Sequence, residues 1–405
     1  MAIVTIPRIF TKHRYFHTLM KYLFFILLFP VSALGQPLRD INYNFIYNSN
    51  EPFQFSIEAV KSSQGWTAFY DLTLRDTTQD IDQFVIQWDL RNDVSEKDGT
   101  VIIGDSVAMN KTRNAITGSV FITSSAEKKI ITAKVVNQVA KRAWIFSKLL
   151  DPQFPANGYL ISNDMPVVEG FIKKDSPVRL AGEGERKIVS YYNDDFPAAV
   201  PGFSTGMGRV AKSMVVDSTF SHNLSEPISF AKTGLYLVQS DTNATAGFAF
   251  RVEEDYPRLT KIESLADPLI YVCTKQEFDR IKQAKGDKKA FDKVILSITQ
   301  NTERARNFMR SYFRRVELAN AFFTSYKEGW KTDRGMIYII FGLPDQVYKF
   351  ADREVWTYKN SMYKITFEFV KSSTLFDPEN FVLVREKKFQ ETWYEVIDLW
   401  RNARF

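Results

Sequence analysis

Three carboxylates in the last fifth of the chain, Asp333, Asp345 and Glu354, offer the most chemistry. Two acids about 5–9 Å apart suffice to hydrolyse a glycoside, so Asp333 with Asp345 or Glu354 would describe a carboxylate-dependent hydrolase. Two of the three also have local structural readings. Asp333 lies in Thr332-Asp333-Arg334-Gly335, where a short acid can accept bonds from nearby backbone N–H groups and glycine relieves the turn's exit. Asp345 follows Gly342-Leu343-Pro344, and Pro344 is suited to open a short helix with Asp345 in its first turn. A reaction has to be argued from the geometry of a site, and spacing alone supplies none. The balance falls against catalysis.

Other reactive side chains are scarce. His13 and His17 lie near the N-terminus, which leaves His222 in the polar, loop-like Ser221-His222-Asn223. Zinc sites built on histidines and Cys-His nucleophile pairs are thereby disfavoured, and no metal or cofactor is expected. Cys273 stands alone and reads as a buried apolar residue. Arg306, Arg310 and Arg314 recur at spacing four, with Arg304 and Arg315 beside them. Such a stripe can meet an anionic polymer or lipid head group. A solvated face balanced by Glu303 and Glu317 is the simpler reading, because such charges are mostly exposed.

The 405-residue chain is 45% hydrophobic and 25% charged, long enough for about three domains. Its first 35 residues read as an export signal: Met20-Lys21, an apolar run from Tyr22 to Val31, then Ser32-Ala33-Leu34-Gly35 before a cut ahead of Gln36. The run is too short to span a membrane. Translation starting at Met20 would leave the signal intact. Removing the leader takes away Arg8, Lys12, Arg14 and Lys21 and no acid, so the net charge of +6 falls by four, to +2. A nucleic-acid partner is therefore not expected. No Cys follows the signal, which argues against an N-terminal lipoprotein and leaves the periplasm or the outer surface.

The elements that would position these residues fall into four stretches. Residues 36–150 show period-two runs at Asn44–Tyr47, Phe53–Val60, Thr67–Leu74 and Phe84–Leu90, a β-sandwich pattern. After the joint Asp151-Pro152-Gln153-Phe154-Pro155, residues 151–258 carry a second β set that includes Val178–Leu180, Ile188–Tyr192, Ala211–Val216, Gly234–Val238 and Gly247–Val252. The Pro- and Gly-containing interval 193–208 between them is a candidate contact surface. Residues 259–328 are expected to form a helical segment, after a last strand at Leu269–Cys273. Thr274-Lys275-Gln276-Glu277 is a capping box, a second helix starts at Lys288, and Asn301 caps a third that reaches Glu328. Gly329 would end that helix in the left-handed conformation, with Trp330 folded back onto it. In 329–405 the unbroken apolar run Met336–Phe341 reads as a covered strand. With Glu354–Tyr358, Tyr363–Val370 and Phe381–Val384 it would make a small antiparallel sheet, followed by an amphipathic helix through Trp393 and Trp400. The fold class is multidomain β plus α+β.

Gly329, Trp330, Thr332 and Asp333, followed by Gly335, Gly342, Pro344, Asp345, Trp356 and Tyr358, resemble the signature of the GWxTD domain family. The resemblance runs over about 256–405 and implies a Bacteroidetes-type exported protein with upstream β domains. The family brings no catalytic residues, so these positions are a family signature and a possible interaction surface. The expectation is an exported, non-catalytic envelope protein acting as a structural or protein/polymer-binding module, its alternative a carboxylate-dependent hydrolase of an envelope glycan.

Overall fold

The alternating apolar runs fold into two sandwiches in sequence order. The computed structural model describes residues 35–102, 106–123, 127–193, 196–205, 210, 212–284, 286–360 and 363–404. The expected leader, Gly35 apart, lies outside them. The first sandwich uses β1 (Phe53–Lys61), β2 (Gly65–Leu74), β3 (Phe84–Arg91), β4 (Thr100–Val101), β5 (Ser106–Lys111), β6 (Ala115–Thr123), β7 (Lys129–Asn137) and β8 (Arg142–Leu150). Its sheets run β1-β2-β6-β5 and β4-β3-β7-β8, so β1 and β8 are both edges. Leu72, Trp88, Val135 and Trp144 fill the space between them.

The second sandwich contains β9 (Gly158–Ser162), β10 (Met165–Pro166), β11 (Phe171–Lys173), β12 (Val178–Gly182), β13 (Arg186–Tyr192), β14 (Ser218–Asn223), β15 (Pro227–Ile228), β16 (Gly234–Gln239) and β17 (Phe248–Glu253). The sheet orders are β10-β9-β12-β15 and β11-β17-β16-β13-β14. Of the strand expected at Ala211–Val216, Ala211 lies outside the described residues, and 212–216 form no strand. Val215 and Val216 are exposed with nothing to cover them, and pairing starts instead at Ser218. His222 therefore sits on an edge strand rather than in a loop, its Nε2 meeting the Glu226 carbonyl at 3.0 Å.

The helical segment holds α1 (Ile262–Ala266), α2 (Lys275–Gln283), α3 (Lys288–Thr299) and α4 (Thr302–Phe323). The Thr274/Glu277 capping box forms as read. Leu269–Cys273 is not a strand: Pro268 starts a 3-10 turn over Asp267–Tyr271. The long helix stops at Phe323, not Glu328. Gly329 accordingly belongs to a separate 3-10 turn, Gly329–Lys331, rather than to a helix C-cap.

The largest correction concerns Met336–Phe341, which is helical. Thr332 caps α5 (Asp333–Phe341) by accepting the Gly335 N–H, and Met336 through Phe341 are all buried. A helix covered on every side has no polar face, so a short apolar run cannot be told from a strand by periodicity. The four-stranded sheet exists without it, in the order β18 (Gln346–Lys349), β19 (Arg353–Lys359), β20 (Lys364–Lys371), β21 (Phe381–Leu383). Pro344 and Asp345 thus lead into a strand and start no helix. The closing helix, α6 (Gln390–Arg401), packs with α5 on the sheet: the Phe341 ring lies 4.9 Å from Phe367 and 5.6 Å from Trp393.

Asn44–Tyr47 is also not a strand but a 3-10 turn, and it belongs to this C-terminal core. The reason is a polar address about 300 positions away. Val347 accepts the Tyr43 N–H at 2.8 Å, its own N–H donates to Asn42 Oδ1 at 2.9 Å, and the Tyr338 hydroxyl donates to the Tyr47 carbonyl at 2.9 Å. The Tyr47 hydroxyl donates to buried Glu354 at 2.7 Å. Hydrogen bonds to buried charged groups contribute about 1.5–3 kcal/mol, so Tyr47→Phe should lower the unfolding free energy by about 2 kcal/mol in urea titration.

Candidate functional site

The turn between α4 and α5 carries the residues singled out in the sequence. Gly329 is there because the backbone of α4 is close: a Cβ at this position would lie 2.1 Å from the Ala319 carbonyl oxygen. Its N–H donates to the Tyr256 hydroxyl at 3.0 Å. Trp330 is buried edge-on to Tyr271, its N–H donating to Asn320 Oδ1 at 3.0 Å and its carbonyl accepting the Tyr271 hydroxyl at 2.9 Å. Thr332 Oγ1 donates to the Gly329 carbonyl at 2.8 Å and accepts the Gly335 N–H at 2.9 Å. Gly335 has no room for a side chain, since its Cβ would fall 1.9 Å from the Gly329 carbonyl oxygen.

Asp333 does not serve the turn as the sequence suggested. Its carboxylate points across to β21, accepting the Leu383 N–H at 2.8 Å and Arg385 Nη2 at 2.6 Å. Only 2% of the Arg385 side chain and 9% of the Asp333 side chain are open, so the ion pair is fully enclosed. Arg385 also donates to the Val200 carbonyl at 3.1 Å, and the Lys331 carbonyl accepts the Ala199 N–H at 3.0 Å. The interval marked as a contact surface thus meets the signature of its own chain.

The remaining signature residues lie around α5. Gly342 turns the chain at φ 84° where the Arg315 guanidinium closes in, and Arg315 donates to the Ile339 and Ile340 carbonyls at 3.1 and 3.0 Å. Tyr358 donates to the Gly342 carbonyl at 2.9 Å, and Trp356 donates through Nε1 to Glu354 at 2.8 Å. Pro344 is buried, while Asp345 is exposed and accepts the Lys359 N–H at 2.6 Å. The three acids considered for hydrolysis therefore have separate partners: Arg385 for Asp333, Lys359 N–H for Asp345, and Arg334, Tyr47 and Trp356 for Glu354. Of the arginine stripe, Arg306, Arg310 and Arg314 are exposed, whereas Arg315 stacks over Trp400 at 4.6 Å. Burial pushes the Cys273 thiol up to about 12, which keeps it inert.

A second site escaped the sequence reading. A cavity of about 440 Å³ lies where both sandwiches meet the C-terminal domain, lined by Glu58, Lys148, Glu169, Arg334, Lys371, Asp377 and Glu379 among aromatic rings. Lys148 Nζ stands 2.9 Å from Glu58 and 3.4 Å from Glu379. Glu58 and Glu379 keep 46% and 44% of their side chains open although protein surrounds them, so their open surface is the cavity wall. Burial works against the charge on Lys148, but Glu379 and Glu58 overcome it and hold its pKa raised. Burial raises Glu58 despite Lys148, because that cation is shared with Glu379. Glu379 is held down at about 2: burial opposes its charge, and Lys148, Lys371 and Lys349 prevail. Asp377 goes the other way, pushed up to about 6 by burial, against the pull of Arg334 and with a contribution from Glu379. Nothing in the local sequence marks these groups, which come from five separated segments. Among the described residues no cluster of three or more His, Cys, Asp or Glu side chains is placed to hold a metal ion.

The architecture defines a multidomain scaffold: two β-sandwiches and an α+β domain whose signature turn and helix direct their polar side chains inward. Residues 234–402 match the GWxTD domain family, and the protein is a GWxTD domain-containing protein. The match begins earlier than the resemblance at 256 and takes in β16 and β17. No curated protein matches the chain. Among solved structures it is similar to the crystal structure of DIP-gamma IG1+IG2 at 11% identity, covering 50% of this chain and 95% of that one, with a TM-score of 0.18. It is also similar to the titin fragment Titin-A168169 at 10% identity, covering 50% and 98%, again with a TM-score of 0.18. At such scores the fold assignment rests on the sheets themselves.

Asp377 gives the cavity a measurable pH response. Its folded pKa of about 6 lies above the ordinary 3.8, so the folded form binds the proton more tightly. That stability is fully present below the unfolded value and is lost as pH rises through the folded one. Asp377→Asn mimics the protonated acid. Relative to wild type, the variant should gain about 2–3 kcal/mol between pH 4 and 7 in urea unfolding.

Proposed function

We propose that this is an exported, non-catalytic cell-envelope protein that works as a structural or protein/polymer-binding module. The observation that carries the reading is the consumption of the signature's polar groups by internal bonds: Thr332 and Asp333 bind their own chain, and Trp330 is buried. Residues used in this way build a rigid frame and leave none of those groups for substrate. The export component rests on the leader pattern at 1–35 and the absence of Cys immediately after it. Among the described residues no helix is long and apolar enough to cross a membrane, which says nothing of strands. A Bacteroidetes-type host is part of the same proposal.

The alternative, a carboxylate-dependent hydrolase of an envelope glycan, has less support, because Asp333 and Glu354 are each tied to a buried or half-buried arginine. Two measurements on the tagged protein in its native host separate the readings. Fractionation and N-terminal sequencing should find it in the envelope beginning at Gln36, and crosslinking should retain one defined protein or polymer with no release of reducing ends from purified envelope glycan. An uncut cytoplasmic protein would sink the export component. Glycan cleavage that disappears in a folded Asp333→Asn, Asp345→Asn or Glu354→Gln variant would replace the binding reading with the enzymatic one.

A further inference from the structure

The free edge of β1 opens into the cleft between the first sandwich and the C-terminal domain. Hydrogen-bonded pairs in an antiparallel ladder alternate, and both ends of the β1–β2 ladder fix the phase: the Arg75 N–H donates to Pro52 at 2.8 Å, and the Ser62 N–H donates to Gly65 at 2.7 Å. Even-numbered residues of β1 therefore bond β2, and odd-numbered ones turn their N–H and C=O outward. Lys61 confirms this phase, since its N–H donates to the Ala156 carbonyl at 2.7 Å, where Val60 and Ala156 form a parallel bridge. The chain thus adds to this edge at one end and then leaves it. Among the described residues, the outward groups of Phe55 and Ile57 find no partner.

Space follows the same edge. The cavity of about 440 Å³ and a neighbouring one of about 150 Å³ share Gln54, Phe55 and Ser56 on one wall and Ala321 and Phe322, at the end of α4, on the other. They form one channel along the strand. Phe146 and Phe322 give it apolar sides, and the Glu58, Lys148 and Glu379 cluster gives it a charged one. A strand laid there would alternate its side chains between those surroundings.

We propose that this channel takes an extended peptide segment of a partner protein, added as a further strand to β1 at Phe55 and Ile57. Main-chain bonds would supply the affinity, as in other strand additions to open sheet edges, and the groove continues the pairing that Pro155 and Ala156 begin. A polymer without peptide N–H and C=O groups has no match to this register. From Gln54 to Glu58 the free stretch spans roughly 13 Å, the reach of about five residues. The inference rests on the binding-module reading and names its site and the chemistry of its partner.

The test uses the whole protein and an equimolar pool of capped pentapeptides, acetyl-Val-X-Val-X-Val-amide with Lys or Glu at each X. Saturable binding is expected, with hydrogen exchange slowed in the peptic segment that covers 54–59. A pool N-methylated at the central Val and at the X that follows it should bind at least tenfold more weakly, because one of two consecutive N–H groups faces β1 in either register. Ala321→Trp, which fills the channel from the helix side, should abolish binding while thermal unfolding stays unchanged. Absence of saturable binding, equal binding of the N-methylated pool, or full binding to a folded Ala321→Trp protein would overturn the strand-addition proposal. A partner captured by crosslinking in that event would still leave the module reading standing with its surface elsewhere.

Discussion

A carboxylate enclosed in protein has to be neutralised and hydrogen-bonded, and at Asp333 that requirement ties the C-terminal domain to the segment that leaves the second sandwich after β13. The acid heads α5, its bonds go to the Leu383 N–H and to Arg385, and Arg385 reaches on to the Val200 carbonyl beyond β13. Removing one partner from such a pair leaves an uncompensated charge, which costs about 3–5 kcal/mol. The glycines of the signature serve the same end. Gly329 and Gly335 let the turn approach the backbone of α4 and its own carbonyl closely enough for Asp333 to be aimed at β21.

The N-terminal segment imposes a second constraint. Tyr43 and Tyr47 complete the core around α5 before the chain enters the first sandwich, so both sandwiches are inserted between two halves of one core. That topology brings the first sandwich close to the end of α4 and encloses the charged cluster of Glu58, Lys148 and Glu379. The cleft, its raised and depressed acids and the open edge of β1 are all consequences of this return. A ligand entering there would contact elements far apart in sequence.

Local chemistry was legible in the sequence and distant pairing was not. The capping box at Thr274 and Glu277, the helix starts at Lys288 and after Asn301, and the strands β19 to β21 depend on residues within a few positions of each other, and each formed as read. Met336–Phe341 misled because its helix is covered on all sides, and Asn44–Tyr47 because its burial depends on Val347 and Glu354 rather than on a neighbouring strand. The role of Asp333 was hidden for the same reason: Arg385 lies 52 positions away and carries no local mark. Asn320, wholly buried in α4 and bonded to Trp330 and Pro257, was invisible among the apolar positions of that helix. The cavity acids were missed altogether, since only the docking of domains brings them together.

The Asp333–Arg385 pair holds the GWxTD signature as an internal joint. A double-mutant cycle on Asp333→Ala and Arg385→Ala, read by urea unfolding of the whole chain, measures that coupling most directly. A coupling of about 2–3 kcal/mol is expected, with the double variant less destabilised than the sum of the singles. A coupling below about 0.5 kcal/mol, the level at which independent sites add, would contradict it and return Asp333 to the list of groups free to act on something outside the chain.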